Sequence, residues 1–207
     1  IEAGLLIKPD DPNRNPYERF RDRVMFPITD RRGKVIAFGG RLLGDGKPKY
    51  LNSPDTPLFH KGQVLYGLAQ AREHAHKKDQ IIVTEGYMDV IALAQAGFPQ
   101  SVAPLGTALT LEQIQLLWTL SKTPILCFDG DSAGQRAALR GAERALPALK
   151  PGFGLKFVHL PDGEDPDSLI KSKGSAAMQD ILDKAIVLSE LLWRNESQGK
   201  NLSLGEE

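Results

Sequence analysis

The sequence predicts an α/β fold: a mainly parallel sheet flanked by helices, preceded by a small β-rich part and followed by a helical tail. Two patterns carry this expectation. From about residue 80 onward, short apolar runs rich in β-branched residues alternate with amphipathic stretches, in the order βαβαβαβ of a sheet built through crossover helices. Upstream of residue 64 the pattern is instead one of short extended runs between glycine and proline turns, with no helical period.

Each element has its own justification. Residues 1–16 hold four Pro/Gly and little periodicity, which reads as a linker or a frayed end. Val24-Met25-Phe26-Pro27-Ile28 and Val35-Ile36-Ala37-Phe38 flank Asp30-Arg31-Arg32-Gly33, a hairpin signature. Residues 52–62 are turn-rich, and a short helix is expected over 67–77. Then come a strand at 80–84, a helix at 87–96 stopped by Gly97, a strand at 100–104 and a helix at 110–121. A strand at 124–128, a helix at 132–148 and a strand at 155–160 follow. In the 110–121 segment Leu111, Ile114, Leu117 and Trp118 share one face, and Thr110 with Gln113 forms a capping box. From about 176 the chain reads as helix, with Ile181, Leu182, Ala185, Leu188 and Leu192 as its apolar stripe. Trp118 and Trp193 sit at core spacing. The changes of pattern divide the chain into 1–66, 67–175 and 176–207.

Composition narrows the function. The 207 residues are 41% hydrophobic and 25% charged, ordinary for a folded domain, and the formal net charge of zero argues against a uniformly basic nucleic-acid binder. The charge is unevenly spread, however: Arg14 to Lys49 holds ten Lys/Arg against four acids. A basic first quarter and an acidic cluster further on are opposite poles that one polyanion can bridge, or simply two solvated faces. The single Cys127 excludes an internal disulfide and suits a reducing cytoplasm, and four His without paired spacing argue against structural zinc. No apolar stretch approaches a membrane span. The chain opens on Ile1, which points to a piece of a longer protein.

The chemistry lies where strands are expected to end. Ile81-Ile82-Val83-Thr84 runs into Glu85-Gly86-Tyr87-Met88-Asp89; Pro124-Ile125-Leu126-Cys127-Phe128 runs into Asp129-Gly130-Asp131; Leu155 to Leu160 leads into Pro161-Asp162-Gly163-Glu164-Asp165-Pro166-Asp167. Parallel sheets bind ligands just beyond the carboxyl ends of their strands. Acidic groups gathered there repel one another unless a divalent cation lies between them, and Mg²⁺ is usually held by one or two carboxylates plus waters and phosphates. Asp129 and Asp131 point the same way in extended backbone, with Gly130 leaving room for substrate. Asp89 falls over the first turn of a helix starting near Gly86, close to Glu85. Asp165 and Asp167 repeat the spacing, stiffened by Pro166. Each motif alone has an ordinary alternative. Asp131 or Ser132 can cap the following helix, Glu85-Gly86 can be a strand-ending turn, and Asp162 to Asp167 can be a solvated loop. The coincidence of three such clusters after strands of one sheet favours a phosphoryl-transfer site.

Other patterns carry less. Gly44-Asp45-Gly46-Lys47-Pro48 fails as a phosphate loop because Pro48 replaces the Ser/Thr that would hold Mg²⁺. His60-Lys61-Gly62 reads as a polar turn, and His74 and His76 as solvated.

Val83 to Val90, with Phe128-Asp129-Gly130-Asp131-Ser132-Ala133-Gly134, resembles the Toprim signature of primases, topoisomerases and some nucleases. Arg19 to Ile28, Phe38-Gly39-Gly40-Arg41, Lys49-Tyr50-Leu51-Asn52-Ser53-Pro54, Phe59-His60-Lys61-Gly62 and Leu160 to Asp167 resemble the catalytic core of bacterial DNA primases of the DnaG type. The resemblance runs in family order from about residue 17 to 170. It implies a Toprim domain and template-directed synthesis of short RNA primers on single-stranded DNA from nucleoside triphosphates, in the bacterial cytoplasm at the replication fork. It implies Glu85, Asp129 and Asp131 as catalytic metal ligands, completed by Asp89, Asp165 and Asp167. The ion expected is Mg²⁺, with Mn²⁺ able to substitute. Arg19, Arg21, Arg41, Lys49, Tyr50, Asn52 and Lys61 match the family's nucleotide- and template-contacting surface. The family's zinc-binding and helicase-binding domains are not in this sequence, so zinc and the replicative helicase are expected to be reached only through other parts of a longer protein. The competing class is a Toprim topoisomerase or nuclease, but Tyr17, Tyr50, Tyr66 and Tyr87 have no transesterification domain around them. A third reading keeps the fold as a non-catalytic binding module.

Overall fold

The structure, a computed structural model, describes residues 1–198. The end of the expected tail, 199–207, lies outside the described residues. Two strands, β3 (Arg23–Thr29) and β4 (Val35–Leu42), form the expected hairpin, and β5 (Tyr50–Asn52) adds to β4 to make a three-stranded antiparallel sheet. Along β3, Phe26 and Ile28 are buried while Met25 and Pro27 face out, the alternation of a one-sided sheet. Asp30 closes the hairpin by accepting from the amides of Arg32 at 2.8 Å and Lys34 at 2.9 Å. The first sixteen residues are more ordered than a linker. Leu6–Ile7 (β1) pairs antiparallel with Tyr17–Glu18 (β2), a ladder too short to leave a sequence pattern.

The second sheet has the order β10-β9-β8-β6-β7. Its strands are β6 (Ile82–Val83), β7 (Ser101–Val102), β8 (Ile125–Cys127), β9 (Lys156–Val158) and β10 (Ile186–Val187). The first four are parallel and β10 is antiparallel to β9. Helices α1 (Leu68–Lys78), α2 (Tyr87–Gln95), α3 (Leu111–Trp118), α4 (Ser132–Ala145), α5 (Pro166–Asp183) and α6 (Leu188–Ser197) cover it. Side chains alternate along each strand. Ile81, Val83, Leu126, Phe128 and Phe157 enter a core with residues of α1, α3, α4 and α6. Ile82, Ile125 and Cys127 enter a second core with Leu93 of α2 and Leu169, Met178 and Leu182 of α5. Both faces are therefore buried, as a parallel sheet requires.

The order of the strands fixes where a ligand can lie. From β6 the chain crosses to β7 on one side; from β8 it crosses to β9 on the other. The carboxyl ends of β6 and β8, adjacent in the sheet, form the switch point at which helices depart to opposite faces.

Two expectations need correction near the carboxyl end. The segment expected to be helical from about 176 begins ten residues earlier, because Asp165 caps α5 and Pro166 occupies its first turn. The helix bends at Gly174, whose φ is 79°. The tail is then interrupted by β10, since the open edge of β9 offers Ile186 and Val187 ladder hydrogen bonds that outweigh two more helical residues. The expected stripe is divided by the break: Ile181, Leu182 and Ala185 pack into the second core, and Leu188 and Leu192 into the first. Trp118 packs as expected and its Nε1 donates to the Gly154 carbonyl at 2.9 Å, but Trp193 is exposed on α6.

The capping box of α3 is present. The Gln113 amide donates to Thr110 Oγ1 at 3.1 Å, the Thr110 amide donates to Gln113 Oε1 at 3.0 Å, and the Thr110 hydroxyl donates to the Gly62 carbonyl at 2.6 Å. Thr110→Ala is expected to cost about 1–2 kcal/mol in urea denaturation, while Thr110→Ser stays within about 0.5 kcal/mol of the parent; equal losses for both would mean the hydroxyl does not hold the cap.

Candidate metal centre

The three acidic turns meet at the switch point, each held by backbone amides. After β6, Gly86 caps α2 and its amide donates to Asp89 Oδ2 at 3.0 Å. After β8, the Asp129 amide donates to Glu85 Oε1 at 3.1 Å, tying the second turn to the first. Asp131 caps α4, its Oδ1 accepting from the amides of Ala133 and Gly134, both at 2.8 Å. Asp165 accepts from the Ser168 amide at 2.6 Å, and Asp167 pairs with Lys171 at 2.6 Å. The Gly130 amide donates to the Glu164 carbonyl at 2.9 Å, tying the third turn to the second.

Two glycines make these approaches possible. A Cβ at Gly130 would overlap the carbonyl oxygen of Pro161, and one at Gly134 would overlap that of Asp129. The room expected at Gly130 for substrate is thus taken by the neighbouring turn.

The electrostatics are those of like charges with little water between them. Asp89 is buried and its carboxyl is pushed up to about 7, first by burial and then by Asp129 and Asp165. Asp129 is pushed up to about 6, by burial and then by Glu85, Asp165 and Asp131. Burial, with Asp89 and Asp129 nearby, likewise raises the Cys127 thiol, so it is not a thiolate ligand. Asp129 Oδ1 is buried with no hydrogen-bond partner. As the side chains stand, no three His, Cys, Asp or Glu among the described residues are grouped as a finished cage. What fits a cation is the unpartnered Asp129 oxygen, whose proton affinity burial and the neighbouring carboxylates raise, with oxygen donors of the hard type that Mg²⁺ and Mn²⁺ take. A cavity of about 610 Å³ reaches Asp129 from the side of α4, β9 and α6, floored by Phe157 and Leu191 and edged by Arg136 and Arg194.

The basic residues lie on and around the three-stranded sheet. Lys49 and Tyr50 are exposed at β5. Arg19 Nε donates to the Asn52 carbonyl at 3.2 Å, and Arg21 stacks 4.7 Å above the Tyr17 ring, 3.6 Å from Glu18. Arg41 Nε is buried without a partner. The Lys61 amide donates to Asp55 Oδ1 at 3.2 Å, which places Lys61 in a turn. The Asn52 amide group points away from solvent: Nδ2 donates to the Leu105 carbonyl at 2.9 Å and Oδ1 accepts from the Tyr87 hydroxyl. His60, His74 and His76 are exposed. The residue that pattern reading passed over is Tyr87; its only signal is an aromatic ring set inside an acidic motif.

A match to the Toprim domain over residues 79–159 gives the class of this sheet and of its first two acidic turns. Residues 1–72 match the N-terminal domain of the DNA primase catalytic core. The chain is 56% identical over 179 residues to the DNA primase of Pseudomonas aeruginosa, covering 86% of this chain and 27% of that one. A crystal structure of a DNA primase domain from Pseudomonas aeruginosa superposes with a TM-score of 0.93 at 51% identity, covering 98% of this chain and 63% of that one. The DnaG primase catalytic domain bound to single-stranded DNA superposes with a TM-score of 0.90 at 48% identity, covering 98% and 63%. The chain belongs to the bacterial DNA primases of the DnaG type, as part of their catalytic core. It spans between a quarter and a third of the length of the curated relatives it matches.

The raised Asp89 carboxyl sets a pH dependence. Its folded value lies above the ordinary 3.8, so the folded protein holds this proton more tightly than the unfolded chain does. The contribution to metal-free stability is full below about 4 and lost as pH rises through about 7. Asp89→Asn, which keeps an acceptor for the Gly86 amide, should therefore be about 2 kcal/mol more stable than the parent at pH 8 and nearly equal to it at pH 4 by thermal melting in chelator. A constant difference across that range would remove Asp89 as the titrating group. Gly130→Ala should cost about 2–3 kcal/mol in the same assay, through overlap with Pro161.

Proposed function

We propose that this chain houses the polymerising centre of a DNA primase, joining ribonucleotides into a short RNA primer on a single-stranded DNA template. One observation carries the reading: the buried, unpartnered oxygen of Asp129 at the switch point, with the charges of Glu85, Asp165 and Asp131 acting on it and its own acting on Asp89. The proposed ligands of a divalent ion, Mg²⁺ with Mn²⁺ able to replace it, are Glu85, Asp129 and Asp131, with Asp89, Asp165 and Asp167 completing the acidic centre. Such an ion lowers the cost of charge on the attacking and leaving oxygens of phosphoryl transfer. The protein's share is placement. The Asp129 amide keeps Glu85 beside the second turn, the α4 amides leave one Asp131 oxygen free, and Asp89 fixes the first turn of α2.

Arg19, Arg21, Arg41, Lys49, Tyr50 and Lys61 are proposed to hold template phosphates and the triphosphate of the incoming nucleotide, as point charges and a stacking surface; Asn52, expected on the same surface, has its amide group engaged by Tyr87 and the Leu105 carbonyl. The relative bound to single-stranded DNA supports that choice of template. No helix among the described residues is long and apolar enough to cross a membrane. The proposed setting is the bacterial cytoplasm at the replication fork, with the replicative helicase and a zinc-binding domain engaged through other parts of a longer protein.

Incubation with single-stranded DNA, Mg²⁺ or Mn²⁺ and labelled nucleoside triphosphates tests this directly. RNA product is expected from the parent chain, and Asp129→Ala or Glu85→Ala should lose at least about a thousandfold of it while melting no lower than the parent. Cut DNA without RNA would instead assign the chain to the topoisomerase and nuclease branch of Toprim proteins. Lys49→Ala should weaken single-stranded DNA binding and flatten its salt dependence by about one phosphate's worth; an unchanged slope would remove Lys49 from the template track.

A further inference from the structure

Tyr87 stands two residues after Glu85 and two before Asp89, yet its side chain turns away from both. It is 6% exposed and enters a third core with Phe26, Ile28, Ala37, Phe59 and Leu105. Its ring stacks on Phe26 at 5.0 Å and 5°, meets Tyr66 edge-on at 4.7 Å, and lies 6.1 Å from the half-exposed Tyr50 of β5. Its hydroxyl donates to Asn52 Oδ1, and Asn52 Nδ2 donates on to the Leu105 carbonyl beyond β7. Gly39 of β4, paired with Asn52, lies against the phenol: a Cβ there would stand 2.5 Å from Oη and 2.6 Å from Cζ. Bare backbone at position 39 is what lets the phenol reach Asn52.

The geometry points to Tyr87 as a positioning residue that sets the distance between the basic strand pair β4–β5 and the acidic turns, with Asn52 as its receiving half rather than a contact to nucleic acid. Arg41 and Tyr50 lie on the strands the phenol grips, and Lys49 just before the second of them; Glu85 and Asp89 lie on the turn that carries it. One side chain thus couples the two charged surfaces between which the proposed reading places the polyanion, and the inference rests on that reading for its consequence in primer synthesis. A residue in this role changes turnover, not affinity. The basic surface still binds template when the phenol is cut away, but the template is no longer registered to the acidic centre.

The test uses the whole 207-residue chain carrying Lys34→Cys and Arg140→Cys, both exposed, for spin labels; Cys127 is buried and stays unlabelled. Pulsed electron resonance then reports the separation of the hairpin from α4. Tyr87→Phe, Asn52→Ala and Gly39→Ala should each broaden the distance distribution of the parent, and Tyr87→Phe/Asn52→Ala should broaden it no further than either single change. In primer synthesis each should lose about tenfold in kcat while the affinity for single-stranded DNA stays within about twofold. Unchanged distributions for Tyr87→Phe and Asn52→Ala overturn the inference. So does unchanged kcat with lowered melting temperature alone, which is what a merely structural pair would give. Loss of DNA affinity in Asn52→Ala with Tyr87→Phe unaffected overturns it too, and returns Asn52 to the template surface. A parent chain that makes no RNA sinks the primase reading, and the distance distributions still decide whether Tyr87 holds the two parts together.

Discussion

Carboxylates gathered at the end of one sheet repel one another, burial adds to the cost at Asp89 and Asp129, and the backbone must hold them there against it. The means are amide groups. The amides of Gly86, Asp129, Ala133, Gly134 and Ser168 each point at a carboxylate oxygen, and that of Gly130 ties the third turn to the second. Hydrogen bonds to ionised acceptors are about twice as strong as neutral ones, so this set offsets much of the repulsion without a counter-ion. Asp129 Oδ1 alone in the cluster is both buried and unserved. An arrangement that supplies a donor to most carboxylates and withholds one from the most central is suited to leave a single place for a cation.

The same region explains why the β-rich part cannot be treated as an appendage. Its buried side chains, Phe26, Ile28, Ala37 and Phe59, have no separate core; they close over Tyr87 at the start of α2 and Leu105 after β7. Residue 66 adds a backbone link, its amide donating to the Ala103 carbonyl at 2.8 Å and its carbonyl accepting in return at 3.2 Å. The basic and acidic surfaces are therefore built on one packed body.

Much of this was readable because the signals were local. The apolar runs before residues 85, 129 and 161 became strands, and the acids after them met, since a parallel sheet puts all such ends on one side. The Thr110–Gln113 cap and the Asp30 turn were legible for the same reason: each is decided within four residues. What was hidden depends on partners distant in the chain. Ile186 and Val187 sit inside a helical stripe, and only the edge of β9 makes them a strand. Trp193 has the spacing of a core residue without a core above it. Asp165-Pro166 carries a helix-start signal, but the acids around it read equally as a solvated loop. Tyr87 meets Asn52 across 35 residues, and no periodicity announces that contact.

The antiparallel β10 has a bearing on how the chain is made. It covers the outer edge of β9 and leaves a strand of only two residues as that margin, while the Tyr66–Ala103 bridge extends the pairing beside β7, so neither margin offers a long strand to pair with a stranger. Every acidic residue of the proposed centre has been synthesised by position 167, but the strand that covers β9 follows only at 186. For about one to four seconds of synthesis, at roughly 5–20 residues per second, the nascent protein carries all the proposed ligands and an unguarded flank. In that interval the edge of β9 is open to misplaced pairing, and it closes with two residues, Ile186 and Val187.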